Sequence, residues 1–260
     1  MNLMEQNLKK NGWGLAQHKL PSEVLKRLVK RKDELLKISA EEVESAFNVS
    51  FSSEFENEKV EYIELAKGMT RALLMYDPDS FSVAKAVWKQ LKDVFKLSPE
   101  IKFLKLPYPI IHFPLDSSEA GTRHKDNYPY IEHFYTAWVP LNDCFHKPIS
   151  IFENTHKKDN FIIRQLRIRL PFFDKLIMST KKELRPDIRL GEFFVWPGST
   201  DHIGRRNEGG KTTVALMIVF TSSPVMHSPS LPIEQIEKFV SVRAKNAEET
   251  RTIMRRMISA

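Results

Sequence analysis

Gly191-Glu-Phe-Phe-Val-Trp-Pro-Gly-Ser-Thr-Asp-His202 sets the character of the second half of this 260-residue chain. A run of apolar and aromatic residues, Glu192–Trp196, stops at Pro197-Gly198, a turn pair, and a histidine follows. Beyond it comes another apolar run, Thr212–Thr221. The same texture of short strand-forming runs punctuated by Pro, Gly, Asn and Asp extends back to Ile101. Strands are expected at Ile101–Leu106, Tyr108–Leu115, Ile131–Val139 and Ile149–Glu153 as well. Asn160–Leu176 reads equally as strand or connecting helix. Regular β–α alternation is absent, which argues against a doubly wound sheet.

The first hundred residues carry a different period. After Pro21-Ser22, Val24, Leu25, Leu28, Val29, Leu35 and Leu36 recur at helical spacing with Lys and Arg between them. Ser39 with Glu42 has the form of a capping box and predicts a second short helix running toward Phe47. Glu61–Met75 and Phe81–Phe95 give two more helices, and Pro232–Ile258 a charged C-terminal one with Ile236, Phe239, Val240 and Ile253 as apolar members. The basic residues Lys26, Arg27, Lys30, Arg31 and Lys32 read as a solvated helix face. The chain is therefore expected to be one α+β domain: a helical part over residues 1–100, a β core over 101–222 and a C-terminal helix over 231–259.

Composition narrows the function classes. Hydrophobic residues make up 42% and charged residues 28%, enough for a sizeable core, which excludes whole-chain disorder. The longest apolar run, Val214–Phe220, is too short to span a bilayer, and the N-terminus lacks the pattern of a secretory signal. A single cysteine, Cys144, excludes an internal disulfide framework and a Cys-rich zinc site and points to a reducing cytoplasm. A net charge of +7 suits an anionic substrate, nucleic acid or a membrane surface without choosing among them. G-x-S-x-G, Walker A and H-E-x-x-H motifs are all missing. Gly209-Gly210-Lys211-Thr212 resembles half a phosphate loop but lacks the first glycine and precedes a strand rather than a helix.

Two of the eight histidines stand apart. Thr122-Arg123-His124-Lys125-Asp126 contains His-x-Asp; on an extended strand the two side chains share a face, and an imidazole nitrogen and a carboxylate oxygen can converge on one cation. His202 is the third candidate. Two histidines and a carboxylate make a facial triad that leaves adjacent positions open, the arrangement of non-haem Fe(II) oxygenases. Two plainer readings remain open: satisfied polar residues with no ion, or a cupin-like metal protein that is not an oxygenase. His112 is either a core or a pocket residue, His156 sits at a turn, and His18, His133, His146 and His227 lack a partner at a diagnostic spacing.

In order, His124-x-Asp126, Tyr135-Thr-Ala-Trp138-Val-Pro-Leu141-Asn-Asp143, Ile149-Ser-Ile-Phe-Glu-Asn-Thr155-His156-Lys157, and Gly191 to His202 with Asn207 beyond it resemble the phytanoyl-CoA dioxygenase-like branch of the Fe(II)/2-oxoglutarate-dependent oxygenases. The resemblance covers roughly Ile101 to Thr221, under half the chain. It implies a double-stranded β-helix (a jelly-roll or cupin-like core) with flanking helices, and His124, Asp126 and His202 as iron ligands. It implies Fe(II), 2-oxoglutarate as co-substrate, and O2. An aspartate at position 126, rather than a small residue that leaves room for a halide, implies hydroxylation or a related oxidation, with a hydroxylase the expected activity. The family's arginine on the last strand is here Thr213. The basic role passes to Lys211, with Arg205 or Arg206 as substitutes and Thr213 as a hydroxyl donor; Asn207 is expected to shape the loop. The expected partner is a small metabolite, with the basic surplus tilting toward an anionic one and Arg123, Arg164, Arg167, Arg169, Arg185 and Arg189 as candidate contacts. Nucleic acid is disfavoured. The rival class is a non-catalytic cupin-like or basic-surface binding protein that needs no iron.

Overall fold

A computed structural model describes residues 3–16, 19–50, 60–95, 102–103, 106–114, 121–126, 134–142, 147–157, 169–170, 172, 176–177, 179–221 and 246–259. In chain order the elements are α1 (Leu3–Asn11), β1 (Gly14–Leu15), α2 (Ser22–Phe47), α3 (Val60–Met75), α4 (Pro78–Phe95), β2 (Lys102–Phe103), β3 (Tyr108–His112), β4 (Phe134–Pro140), β5 (Ile149–Phe152), β6 (Glu183–Leu184), β7 (Phe194–Pro197), β8 (His202–Gly204), β9 (Thr213–Thr221) and α5 (Ala247–Ser259). Helices and antiparallel strands are thus both present, as the α+β expectation requires. Among the described residues, no helix is long and apolar enough to cross a membrane.

The strands form two sheets. A six-stranded sheet runs β1-β7-β4-β9-β2, with β3 also on β9; a three-stranded sheet runs β6-β5-β8. β9 is the spine of the large sheet, and its alternation explains two separate cores. Val214, Leu216, Ile218 and Phe220 face one way and join Leu28, Leu35, Met69, Leu74, Val87 and Leu91 from the helices. Ala215 faces the other way and packs with Trp138, Phe194 and Trp196 against Ile149 and Ile151 of the small sheet. β4 and β7 repeat the division: Ala137, Val139 and Val195 lie toward the helices, Trp138, Phe194 and Trp196 toward the facing sheet.

Local chemistry accounts for the helix ends. α2 stops where Asn48 adopts a left-handed conformation (φ 52°). Asp77 accepts the backbone N–H of Asp79 at 2.8 Å and caps α4, whose first residue is Pro78. Asn246 caps α5 through the N–H of Glu249 at 2.9 Å.

Several expectations change. Ser39 opens no new helix; α2 is continuous over 26 residues. The Ser39 hydroxyl bonds Leu36 O and contacts Thr70 Oγ1 of α3 at 2.9 Å, while Glu42 is taken by Arg255 and Arg251 of α5, so neither is available for capping. The basic stripe of α2 divides: Lys26, Arg27 and Lys30 are exposed, as a solvated face requires, whereas Arg31 and Lys32 are not. Arg27 makes a two-pronged ion pair with Asp79 (2.7 and 3.0 Å), and Arg31 and Lys32 are buried, Arg31 against Glu34 and Thr250. The expected strand over Tyr108–Leu115 is shorter at its end, β3 stopping at His112, while residues 131–133 of the expected strand that contains β4 lie outside the described residues. Most of Asn160–Leu176, and residues 232–245 of the expected C-terminal helix, lie outside the described residues.

Candidate metal centre

The two sheets meet at the site. His202 opens β8 of the small sheet, next to the turn whose Gly198 a Cβ could not replace, since it would lie 1.9 Å from the Phe134 ring. His124 is not on a regular strand, as the i, i+2 argument supposed. It forms a single antiparallel bridge with His202, closed by backbone bonds of 3.0 and 2.9 Å, which brings the two rings together with centroids 4.4 Å apart. Asp126 comes in from the same segment and is held by the large sheet, where Thr136 of β4 donates to its Oδ2 at 2.8 Å.

The remaining polar atoms converge. His124 Nδ1 is bonded to Thr122 O (2.8 Å) and His202 Nδ1 to Thr200 O (3.0 Å). With Asp126 Oδ2 on Thr136, each residue keeps one donor atom for the centre: two Nε2 atoms and Oδ1. Oδ1 lies 3.6 Å from His202 Nε2 and 4.0 Å from His124 Nε2, and ligand atoms of all three residues fall within 4.8 Å of one another. Donors about 2.1 Å from a shared ion can be at most about 4.2 Å apart, so both carboxylate–imidazole separations admit one ion. Burial pushes the His202 pKa down, against the pull of Asp126, which favours the neutral imidazole a metal needs. Two nitrogens and a carboxylate oxygen, with no thiolate, suit a divalent first-row metal.

Residues around the triad are tied to its backbone. The Thr155 hydroxyl accepts the N–H of Asp201 (2.8 Å) and donates to Phe152 O (2.7 Å), while its carbonyl accepts Lys125 Nζ (2.9 Å). The Thr200 hydroxyl donates to Gly12 O (3.1 Å), fastening the N-terminal segment there. Trp196 lies 5.3 Å from the His202 ring. The indole nitrogens of Trp138 and Trp196 are buried without a hydrogen-bond partner among the described residues. Thr136, Thr155, Thr200 and Trp196 were given no role by sequence; period-2 alternation, which puts Thr136 on the face of Trp138, is the one signal that could have found Thr136.

The other candidates divide. Thr213 is buried and lies across from His112 on β3. Lys211 and Arg206 are exposed. Arg205 is committed to Ser150 (2.8 Å) and Glu183 (2.5 Å). Asn207 donates to His112 O and Lys211 O and accepts from Gly209 N, so it does close the loop before β9. Arg123 lies over the Phe152 ring, Arg185 pairs with Glu183, and Arg169 and Arg189 are exposed; Arg164 and Arg167 lie outside the described residues, as do His18, His133, His146, His227 and Cys144. His156 sits at a bend and bonds Lys9 O at 3.1 Å.

No protein family matches this chain by sequence, and no curated protein matches it. Solved structures do. The non-haem alpha-ketoglutarate-dependent epimerase SnoN from nogalamycin biosynthesis superposes with a TM-score of 0.54 at 10% identity, over 89% of this chain and 95% of SnoN. The non-haem monooxygenase ThoJ, in its nickel complex, gives 0.52 at 11% identity over 96% and 99%. EvdO2 from Micromonospora carbonacea var. aurantiaca, complexed with 2-oxoglutarate, gives 0.51 at 12% identity over 89% and 95%. At such identities the likeness extends to the fold: this chain has the fold of these non-haem enzymes along nearly its whole length.

Proposed function

We propose that this chain is a non-haem Fe(II)- and 2-oxoglutarate-dependent dioxygenase that hydroxylates a small metabolite or biosynthetic intermediate. The observation that carries the reading is the convergence of His124 Nε2, His202 Nε2 and Asp126 Oδ1, each residue's other polar atom being already engaged. The printed cofactors of the fold neighbours, alpha-ketoglutarate for SnoN and 2-oxoglutarate for EvdO2, support it. On this reading the facing sheets are the two halves of a double-stranded β-helix in a single domain, and the ordered motifs favour the phytanoyl-CoA dioxygenase-like branch. The lone cysteine favours the cytoplasm.

The residues present fit the group. Bound iron, 2-oxoglutarate and O2 supply an oxidant for a C–H bond, with succinate and CO2 as by-products. The chain's contribution is placement: Thr122 O and Thr200 O fix the tautomer and orientation of the two imidazoles, and Thr136 fixes which carboxylate oxygen faces the ion. Trp138, Phe194 and Trp196 with Ile149 and Ile151 form the dry wall between the sheets. The co-substrate's far carboxylate is assigned to the start of β9, where Thr213 is the buried member of the expected set.

Succinate formation with and without added Fe(II) tests the reading. Iron-dependent turnover of 2-oxoglutarate that disappears in His202→Ala is expected. A protein that binds no divalent metal and forms no succinate is instead the cupin-like or basic-surface binding protein. Of the basic residues of α2 that this rival would use, Arg31 and Lys32 are buried and Arg27 is paired with Asp79.

A further inference from the structure

We infer that a groove on the helix side of the large sheet, between the first half of α2 and the Leu190-Gly191 turn, is a second ligand site, built for an acyl carboxylate: one apolar chain ending in one anionic head. The groove and the metal centre lie on opposite faces of the sheet, so this site stands without the proposed function. Leu20 and Leu25 of the groove belong to the core shared with the helices. Trp196, beside His202, belongs to the core between the sheets.

The apolar lining follows from helical spacing. Ser22, Leu25, Val29 and Asp33 fall three or four residues apart and make one stripe along α2, roughly 16 Å long at about 1.5 Å per residue. The facing wall is pinned to it. Leu20 N–H donates to Gly191 O at 2.8 Å, and a Cβ on Gly191 would stand 3.9 Å from Leu25 Cδ1 and from Lys19 Cβ. The space between the walls is about 520 Å³, inside the range of about 300–1,000 Å³ typical of small-molecule sites. Of its apolar members Leu20 and Leu25 are buried, Val29 is half-buried and Leu190 is 39% exposed. Lysine stems commonly cover such a stripe. Here the volume stays open with Lys19, Lys26 and Lys30 in place around it.

Charge selects the head group. Lys19, Lys26 and Lys30 are exposed. Lys26 is bonded to Glu23 at 2.8 Å, while Lys19 and Lys30 enter no ion pair among the described residues. The carboxylate of Asp33, also in the lining, is already held by Lys32 at 2.8 Å. Anions are therefore attracted to this groove and cations repelled from it. Apolar and cationic groups share the same lining, so chain and head are met together. A free acyl anion offers both, whereas a bilayer keeps its chains behind its head groups.

The test titrates decanoate into the full chain, followed by calorimetry and by methyl resonances. The methyls of Leu20, Leu25, Val29 and Leu190 should shift, and those of Ile149 and Ile151 between the sheets should not. Octanoate should bind about 15-fold more weakly than decanoate, at roughly fourfold per buried methylene. Decanol, the same chain without the charge, should bind at least about tenfold more weakly, as loss of attraction to several ammonium groups requires. Lys19→Glu combined with Lys30→Glu should weaken decanoate at least about tenfold and leave decanol within about twofold. Leu190→Ser should weaken both; all of these positions are exposed, so the fold should survive the changes. His202→Ala, which dismantles the metal centre, should bind decanoate as wild type does, so the failure of either reading is seen apart from the other. Wild-type protein that binds no decanoate, that binds decanol as tightly, or that shifts at the inter-sheet methyls instead overturns the inference. Unchanged decanoate affinity in the lysine variant overturns it too. Binding to phosphatidylglycerol vesicles with none to monomeric decanoate would make the patch a membrane surface and overturn it as well.

Discussion

Replacing Thr155 by valine keeps the shape of the side chain and deletes one hydroxyl. In the folded protein that hydroxyl accepts the Asp201 N–H at 2.8 Å and donates to Phe152 O at 2.7 Å, so it ties the end of β5 to the residue before His202. The backbone carbonyl of Thr155, which takes Lys125 Nζ between His124 and Asp126, is untouched. Thr155 is 5% exposed and Asp201 is equally buried, so water is poorly placed to substitute. Leaving a buried donor unsatisfied costs about 1–3 kcal/mol, and the urea midpoint should fall accordingly. The same cut loosens the support of the His202 backbone, and loss of an outer support of this kind typically costs about 10- to 100-fold in metal affinity. Competitive Zn(II) titration reads the second effect separately from the first. Thr155→Ser, which restores the hydroxyl, should recover both. If Thr155→Val loses stability by the expected amount yet binds Zn(II) as tightly as wild type, Thr155 supports the fold alone and its coupling to the metal centre is refuted.

Asp126→Ala should abolish tight metal binding and succinate formation while circular dichroism stays native-like; turnover at wild-type level would remove Asp126 from the ligand set. Gly198→Ala places a Cβ 1.9 Å from Phe134 Cζ, and overpacking there should destabilise the protein by about 1–3 kcal/mol. A denaturation midpoint equal to wild type would mean that the Phe134 ring gives way freely. Acidification should loosen the attachment of α5. The bond from Arg255, helped by Arg251, holds the Glu42 carboxyl below its usual 4.5 despite burial. A lowered folded-state pKa stabilises fully above the ordinary value and ceases to do so as pH falls through the folded value. Between about pH 5 and about pH 3 the urea midpoint of wild type should therefore drop more than that of Glu42→Gln; parallel curves would show that the Glu42 contacts contribute nothing net.

Features that residues announce to near neighbours were legible along the chain. Helical spacing identified the bodies of α2, α3 and α4, and runs of β-branched and aromatic residues identified β4, β7 and β9. The converging residues were legible for the same reason: His124 and Asp126 are two apart, and His202 follows a Pro-Gly turn. Whatever depends on a distant partner came only with the folded chain. The strands β1, β6 and β8 are two or three residues long and exist only through pairing with β7 and β5. Ser39 and Glu42 have the same local spelling as a capping box, yet Thr70 and two arginines more than 200 residues away take them. Which basic groups meet solvent, which threonine supports a histidine and which indole is left without an acceptor are settled by burial. Desolvation penalises each polar group according to what surrounds it in space, and spacing along the chain does not specify those surroundings.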